Sequence, residues 1–282
     1  MKYYVFAKFF KHLSVSQLME QCAEIGVDGP TALIRDEYWI TESTIESNLK
    51  EFIRIADEHR LEVRYADTPY SLEQLAKDST PLKIMADYGI QAVRLAYEPK
   101  KASKEIRTLP TTIRRLTEKV AKLAELNGIK AVIQVHGGAY PHNATAAYPL
   151  VADLNPDAIG IKIDPGNNHN QEGYEHFDYQ FALLNEYIAG IGMKDACALR
   201  TGDVTDDRKG WKRVFTPAFD GETNWFEIYS LIKHYHMTGP LVCMPFYHED
   251  DFNKMLTTFK EELAYFKKME ARVFKGESDE NK

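Results

Sequence analysis

Three short polar clusters in this sequence carry residue types suited to chemistry on an oxygen-rich small molecule. Gln134-Val135-His136-Gly137-Gly138 ends one apolar run, Asp164-Pro165-Gly166-Asn167-Asn168 ends a second, and Lys194-Asp195 ends a third. A histidine has an unperturbed pKa of about 6.5, so it can move protons near neutrality. An aspartate can take a proton or hold a cation, and a lysine offers positive charge to an oxyanion. His136, Asp164 and Lys194 are therefore the candidate catalytic groups for proton abstraction next to a carbonyl, which needs a base and a stabiliser for the enediolate. Each cluster also has a plain reading. These are a satisfied buried histidine beside a turn, an Asp/Pro/Gly turn, and a lysine paired to Asp164 for structure alone.

The elements that must position these groups follow from the hydrophobic pattern. Short apolar runs alternate with longer amphipathic stretches, which argues for repeated βα units and a parallel sheet. Strands are expected at 3–10, 30–35, 61–67, 92–97, 130–136, 158–164, 188–195 and 239–246. The first helix is expected at 15–25, with Ser14 as its N-cap and Gly26 past its end. Further helices are expected near 44–59, after Ser71, at 111–127 and at 250–272. Eight such units close a barrel, so the fold class is α/β, a (β/α)8 TIM barrel in one domain. It spans residues 1–275, and 276–282 form a polar C-terminal tail. The stretch 196–223 is expected to be an irregular loop that serves as a lid or as part of the site.

Strand parity then says which side chains enter the barrel, because alternate residues face opposite sides. In 158–164 the isoleucines Ile159, Ile161 and Ile163 face the helices, so Gly160, Lys162 and Asp164 point inward, with Asp164 at the mouth. The same rule brings in Gln134 and His136, Lys194, and Arg94, with Lys8 and Arg35 from the first two strands and Arg64 or Glu62 from the third. It puts Tyr97 outside. Asn167, His169 and Glu172 follow the Asp164 turn closely enough to face the same cavity. Buried charges need partners or a ligand, and a cationic balance suits a carboxylate, a phosphate or an enediolate oxygen.

Composition narrows the function classes. The 282 residues are 44% hydrophobic and 27% charged, with a net charge of −7. That is a globular balance, and its sign argues against nucleic-acid or anionic-lipid partners. Cys22, Cys197 and Cys243 form no CxxC pair and are read as reduced thiols, which points to a cytoplasmic protein. The N-terminal apolar stretch is broken by Lys8, Lys11 and His12 with no cleavage site following, and no run is long enough for a membrane span.

Taken together, Gln-x-His-x-Gly, Asp-Pro-Gly-Asn, Met-Lys-Asp and the Gly239-Pro240-Leu241 start of the last strand resemble the sugar phosphate isomerase/epimerase family with the xylose-isomerase-like TIM barrel. The likeness spans roughly the whole chain. It implies a barrel acting on a carbohydrate, and a divalent ion held by Glu, Asp, His and Glu from the last four strands. The matching positions here read Gln134, Asp164, Gly192 and Met244, so only Asp164 of the usual ligand set is present. This resembles a divergent branch. No metal ligand is assigned from the sequence, and the cofactor is left open.

The resulting expectation is an isomerase, epimerase or related lyase acting on a sugar, sugar acid or sugar phosphate. His136, Asp164 and Lys194 are its catalytic groups. Lys8, Arg35, Arg94, Gln134, Asn167, His169 and Glu172 bind substrate, with Lys8 and Arg35 at an acidic or phosphorylated end. The alternative is a carbohydrate- or anion-binding barrel that has lost catalysis along with the metal site. An apurinic endonuclease would need a denser set of His, Asp and Glu at the strand ends. The partner is a small-molecule carbohydrate or sugar acid, and a homo-oligomer is compatible with the sequence.

Overall fold

The structure is a computed structural model, and it describes residues 1–99, 106–170, 174–202 and 210–276. Residue Glu172 and the tail from 277 onward therefore lie outside the described residues. The barrel strands are β1 Tyr3–Val5, β2 Gly29–Pro30, β3 Ala32–Leu33, β4 Tyr65–Asp67 and β5 Ala92–Arg94. After a short β6, Glu98–Pro99, come β7 Lys130–Gln134, a short β8 Ala139–Tyr140, β9 Ile159–Ile163 and β10 Ile188–Met193. An antiparallel ribbon of β11 Asp195–Arg200 and β12 Trp211–Thr216 precedes β13 Leu241–Cys243.

The main sheet runs β2-β1-β13-β10-β9-β7-β5-β4-β3, with every pairing parallel. Its two ends, β2 and β3, are halves of one segment separated only by Thr31. The sheet thus comes round on itself with eight segments, as the sequence pattern requires.

Helices cover the outer face for the expected local reasons. The first, α1, spans Val15–Ile25 and begins with a reciprocal capping box. Ser14 Oγ accepts from the Gln17 amide, and Gln17 Oε1 accepts from the Ser14 amide. It ends at Gly26, whose φ of 84° is open to glycine at little cost. Leu18, Met19, Cys22 and Ile25 recur at helical spacing and are all buried. The 23-residue helix at Phe252–Phe274 packs Met255, Phe259, Leu263, Phe266 and Met269 inward by the same periodicity.

Four expectations need correction. The first strand stops at Val5, and Ala7–Phe10 form a 3-10 turn that carries Lys8. The region after Ser71 holds two helices, Leu72–Lys77 and Thr80–Asp87. The 196–223 stretch is a two-stranded ribbon rather than irregular loop, with residues 203–209 outside the described set. In the third strand the parity is shifted. Pairing begins at Tyr65↔Ala92, so Arg64 lies before the ladder, is exposed, and donates to the Gly89 carbonyl. Tyr65 and Asp67 are the residues that enter the barrel in its place.

Candidate functional site

A cavity of about 230 Å³ opens at the C-terminal ends of the strands. Seven of the groups expected there line it: Lys8, Arg35, Arg94, Gln134, His136, Asn167 and Lys194. They arrive from six different barrel segments, which is how this fold assembles a site. Apolar walls come from Phe6, Phe215, Met244 and Phe246, and Tyr97 closes one side.

Asp164 lies just beneath the lining. It is 1% exposed and meets the cavity only through the residues it bonds. Its Oδ1 accepts from the Asn167 amide at 2.9 Å. Its Oδ2 accepts from Gln134 Nε2 at 2.5 Å and Asn167 Nδ2 at 2.9 Å, and lies 3.3 Å from Lys194 Nζ. Lys194 in turn donates to Asn167 Oδ1 at 2.8 Å. Its ammonium rests between the faces of Phe215 and Phe246, 4.6 Å from each ring centre. Burial pulls the Lys194 pKa down, and Asp164 restores part of it.

Gly166 is needed beneath this pair. A Cβ there would come within 2.7 Å of Lys194 Cγ and 3.1 Å of its backbone.

Arg94 is held by a carboxylate from the third strand. Its Nε donates to Asp67 Oδ1 at 2.7 Å, and its guanidinium stacks on Tyr97. Burial alone would raise the Asp67 pKa. The Arg94 and Lys162 charges outweigh it and hold the carboxyl below its ordinary range. One layer down, Lys162 is fully buried over the Tyr65 ring, and its Nζ has no hydrogen-bond partner among the described residues. Desolvation brings its pKa down to about 8.

His136 stacks on Tyr97 with ring centres 4.4 Å apart. The contact exists because β6 and β8 pair antiparallel, Glu98↔Tyr140 and Pro99↔Ala139, and so draw the two loops together. This also reverses the expectation that Tyr97 faces outward. His136 Nδ1 accepts the Gly138 amide at 3.2 Å, which puts the proton of a neutral imidazole on Nε2. Gln134 Nε2 is committed to Asp164, and its buried Oε1 has no partner among the described residues, so the pocket offers an acceptor there.

His169 does not join the cluster. It packs against Tyr174 and Phe177, with Nδ1 3.5 Å from Glu222, because the turn of Pro165–Asn170 rotates it toward the ribbon rather than the mouth. Residues that sequence reasoning missed are Asp67, Tyr97 and Phe215. Asp67 was legible once the third strand's parity was set correctly. Phe215 carried no local signal, because the ribbon delivers it from 21 residues beyond Lys194.

A divalent ion, implied by the family resemblance, does not fit these residues. Gln134 turns its amide nitrogen to Asp164, Gly192 supplies no donor, and Met244 offers only a thioether, a soft ligand. The Lys194 ammonium itself occupies the space between Asp164 and Asn167. Among the described residues no three His, Cys, Asp or Glu side chains gather as a metal cluster.

Fold and cluster together define a (β/α)8 barrel with a cation-rich site at the C-terminal strand ends. The model of the xylose isomerase-like TIM barrel family matches residues 19–269, and the chain belongs to that family. Among solved structures it is similar to a xylose isomerase-like TIM barrel protein from Mycobacterium smegmatis in complex with magnesium, with a TM-score of 0.69 and 16% identity over 96% of this chain and 97% of that one. It is similar to D-psicose 3-epimerase from Clostridium cellulolyticum H10 bound to D-tagatose, with a TM-score of 0.68 and 14% identity over 96% and 99%. It is also similar to 3-keto-D-glucoside 4-epimerase, YcjR, from E. coli, with a TM-score of 0.67 and 13% identity over 95% and 99%. No curated relative matches the sequence. No helix among the described residues is long and apolar enough to cross a membrane.

Proposed function

We propose that this chain is a sugar isomerase/epimerase-like enzyme that abstracts a proton next to a carbonyl and uses Lys194 where the family resemblance implies a metal. The observation that carries this reading is Lys194 Nζ seated 3.3 Å from Asp164 Oδ2 and 2.8 Å from Asn167 Oδ1 at the floor of the cavity. With its own proton first released to solvent, Lys194 takes the proton from carbon, stands as the conjugate acid beside the enediolate, and returns the proton to carbon to complete the reaction. Burial between two aromatic faces favours the neutral amine needed for the first step, and Asp164 and Asn167 receive the ammonium in the second. Asp164 has both oxygens occupied by hydrogen bonds, so it positions Lys194 rather than acting as a base itself. His136 carries its neutral-state proton on Nε2 and donates it toward the carbonyl oxygen. Gln134 Oε1 accepts a substrate hydroxyl, and Tyr97 and Phe246 border the space the sugar would fill.

Solvent exchange tests this directly. Wild-type protein is incubated in D₂O and EDTA with D-fructose, D-psicose and a 3-keto glucoside, and deuterium is read on the carbon beside the carbonyl. Incorporation by the wild type and its loss in Lys194→Met support the reading. Incorporation that persists in Lys194→Met overturns it.

A second reading is a carbohydrate-binding barrel without catalysis. It is favoured by the absence of a carboxylate among the described residues lining the cavity. Thermal stabilisation by one of these sugars with no deuterium uptake, with and without added Mn²⁺, identifies that case.

A further inference from the structure

We infer that the substrate carries an anionic group, a carboxylate or a phosphate, and that Lys8 and Arg35 hold it on the rim of the cavity. The inference rests on the proposed carbohydrate site for the rest of the ligand and adds the ligand's charge and the point where that charge binds. Four cations line the mouth: Lys8, Arg35, Arg94 and Lys194. The described lining residues include no carboxylate, although the chain as a whole carries a net charge of −7. The charge of the site is thus opposite to that of the protein around it, which focuses anions into the mouth.

The four cations are not equivalent. Arg94 is neutralised by Asp67 and Lys194 by Asp164. Lys8 and Arg35 make no salt bridge to a carboxylate among the described residues. Lys8 is held instead by aromatic faces, 4.7 Å from the centre of the Phe246 ring and 5.3 Å from that of Phe9. Phe246 also carries Lys194, so two ammonium groups of like charge are gathered on one ring. An anion on this rim relieves that repulsion, and a neutral sugar does not.

The backbone fixes this arrangement. Tyr38 donates its hydroxyl to the Lys8 carbonyl at 3.3 Å and its amide to the Arg35 carbonyl at 3.2 Å, tying both rim segments together. The nearby Glu37 carboxylate pairs with Lys11 at 2.5 Å, and Arg35 acts on it only through longer-range charge, without a salt bridge among the described residues. The planar guanidinium of Arg35 suits a bidentate carboxylate or phosphate contact, with Lys8 as the point charge beside it.

Calorimetric binding tests the idea without any need for turnover, so a failure of the isomerase chemistry leaves it standing. The probes are D-glucuronate, D-fructose 6-phosphate and neutral D-fructose, at two NaCl concentrations. Tighter binding of at least one anionic sugar than of D-fructose is expected, weakening as salt rises. Lys8→Gln and Arg35→Gln should each lose about tenfold in affinity for that anion, the scale of one charge-assisted contact, and Arg35→Lys should retain part of it. Which of the two anionic probes binds separates carboxylate from phosphate. Equal binding of D-fructose and both anions, or affinities in the two glutamine variants within twofold of wild type while their thermal midpoints are unchanged, overturns the inference.

Discussion

Lys194 Nζ lies 3.3 Å from Asp164 Oδ2, and both side chains are almost wholly removed from solvent. A buried ion pair of this kind is stabilising only relative to one of its members left alone, because the remaining charge keeps its desolvation cost. Asp164→Asn should therefore destabilise the fold by about 3 kcal/mol, the scale for removing one partner of a buried pair. Urea unfolding at pH 7 measures it. A change inside experimental error would mean that the two groups do not depend on each other.

Gly166 supplies the space that Lys194 occupies. In Gly166→Ala the new methyl would meet Lys194 Cγ at 2.7 Å, near the root of the side chain, where little adjustment is available. The expected result is a loss of about 1–3 kcal/mol in stability, as for overpacked cores, together with displacement of the ammonium from Asp164. A crystal structure of the variant with Lys194 in its original place would contradict this.

Lys162 presents the opposite case, a buried cation whose Nζ has no hydrogen-bond partner among the described residues. Its nearest counter-charges, Asp67 and Asp164, are already served by Arg94 and Lys194. Lys162→Met keeps the length of the side chain and removes the desolvated charge, so it should stabilise the protein by about 1 kcal/mol or more. A lowered thermal midpoint at pH 7 would show instead that Lys162 is needed to hold Asp67 and Asp164 ionised.

Glu262 gives a pH dependence of known sign. It is fully buried, accepting from Tyr247 and from the Ala218 amide, and burial raises its pKa from 4.5 to about 8. Below pH 4.5 the group is protonated in both folded and unfolded chains, and its contribution to stability is complete. As pH rises toward about 8 the unfolded chain releases the proton first, so this contribution is lost across that window. Glu262→Gln should match the wild type near pH 4.5 and exceed it in stability at pH 8. Parallel unfolding curves for the two proteins across this range would count against a raised pKa.

The sequence by itself determined the layers and most of the mouth. Ile159, Ile161 and Ile163 alternate with Gly160, Lys162 and Asp164, and a strand has only two faces, so one row fixes the other. The same alternation repeated around the barrel gathers Gln134, Asp164, Lys194 and Arg94 at the mouth. Tertiary structure decided what those groups meet. The third strand begins its ladder at Tyr65, and that register placed Asp67 rather than Arg64 beside Arg94. Two antiparallel ribbons brought Tyr97 to His136 and Phe215 to Lys194. Periodicity is a local property of a strand, whereas the pairing of two loops depends on backbone hydrogen bonds between segments far apart in the chain. Such pairings leave no period for a sequence to display.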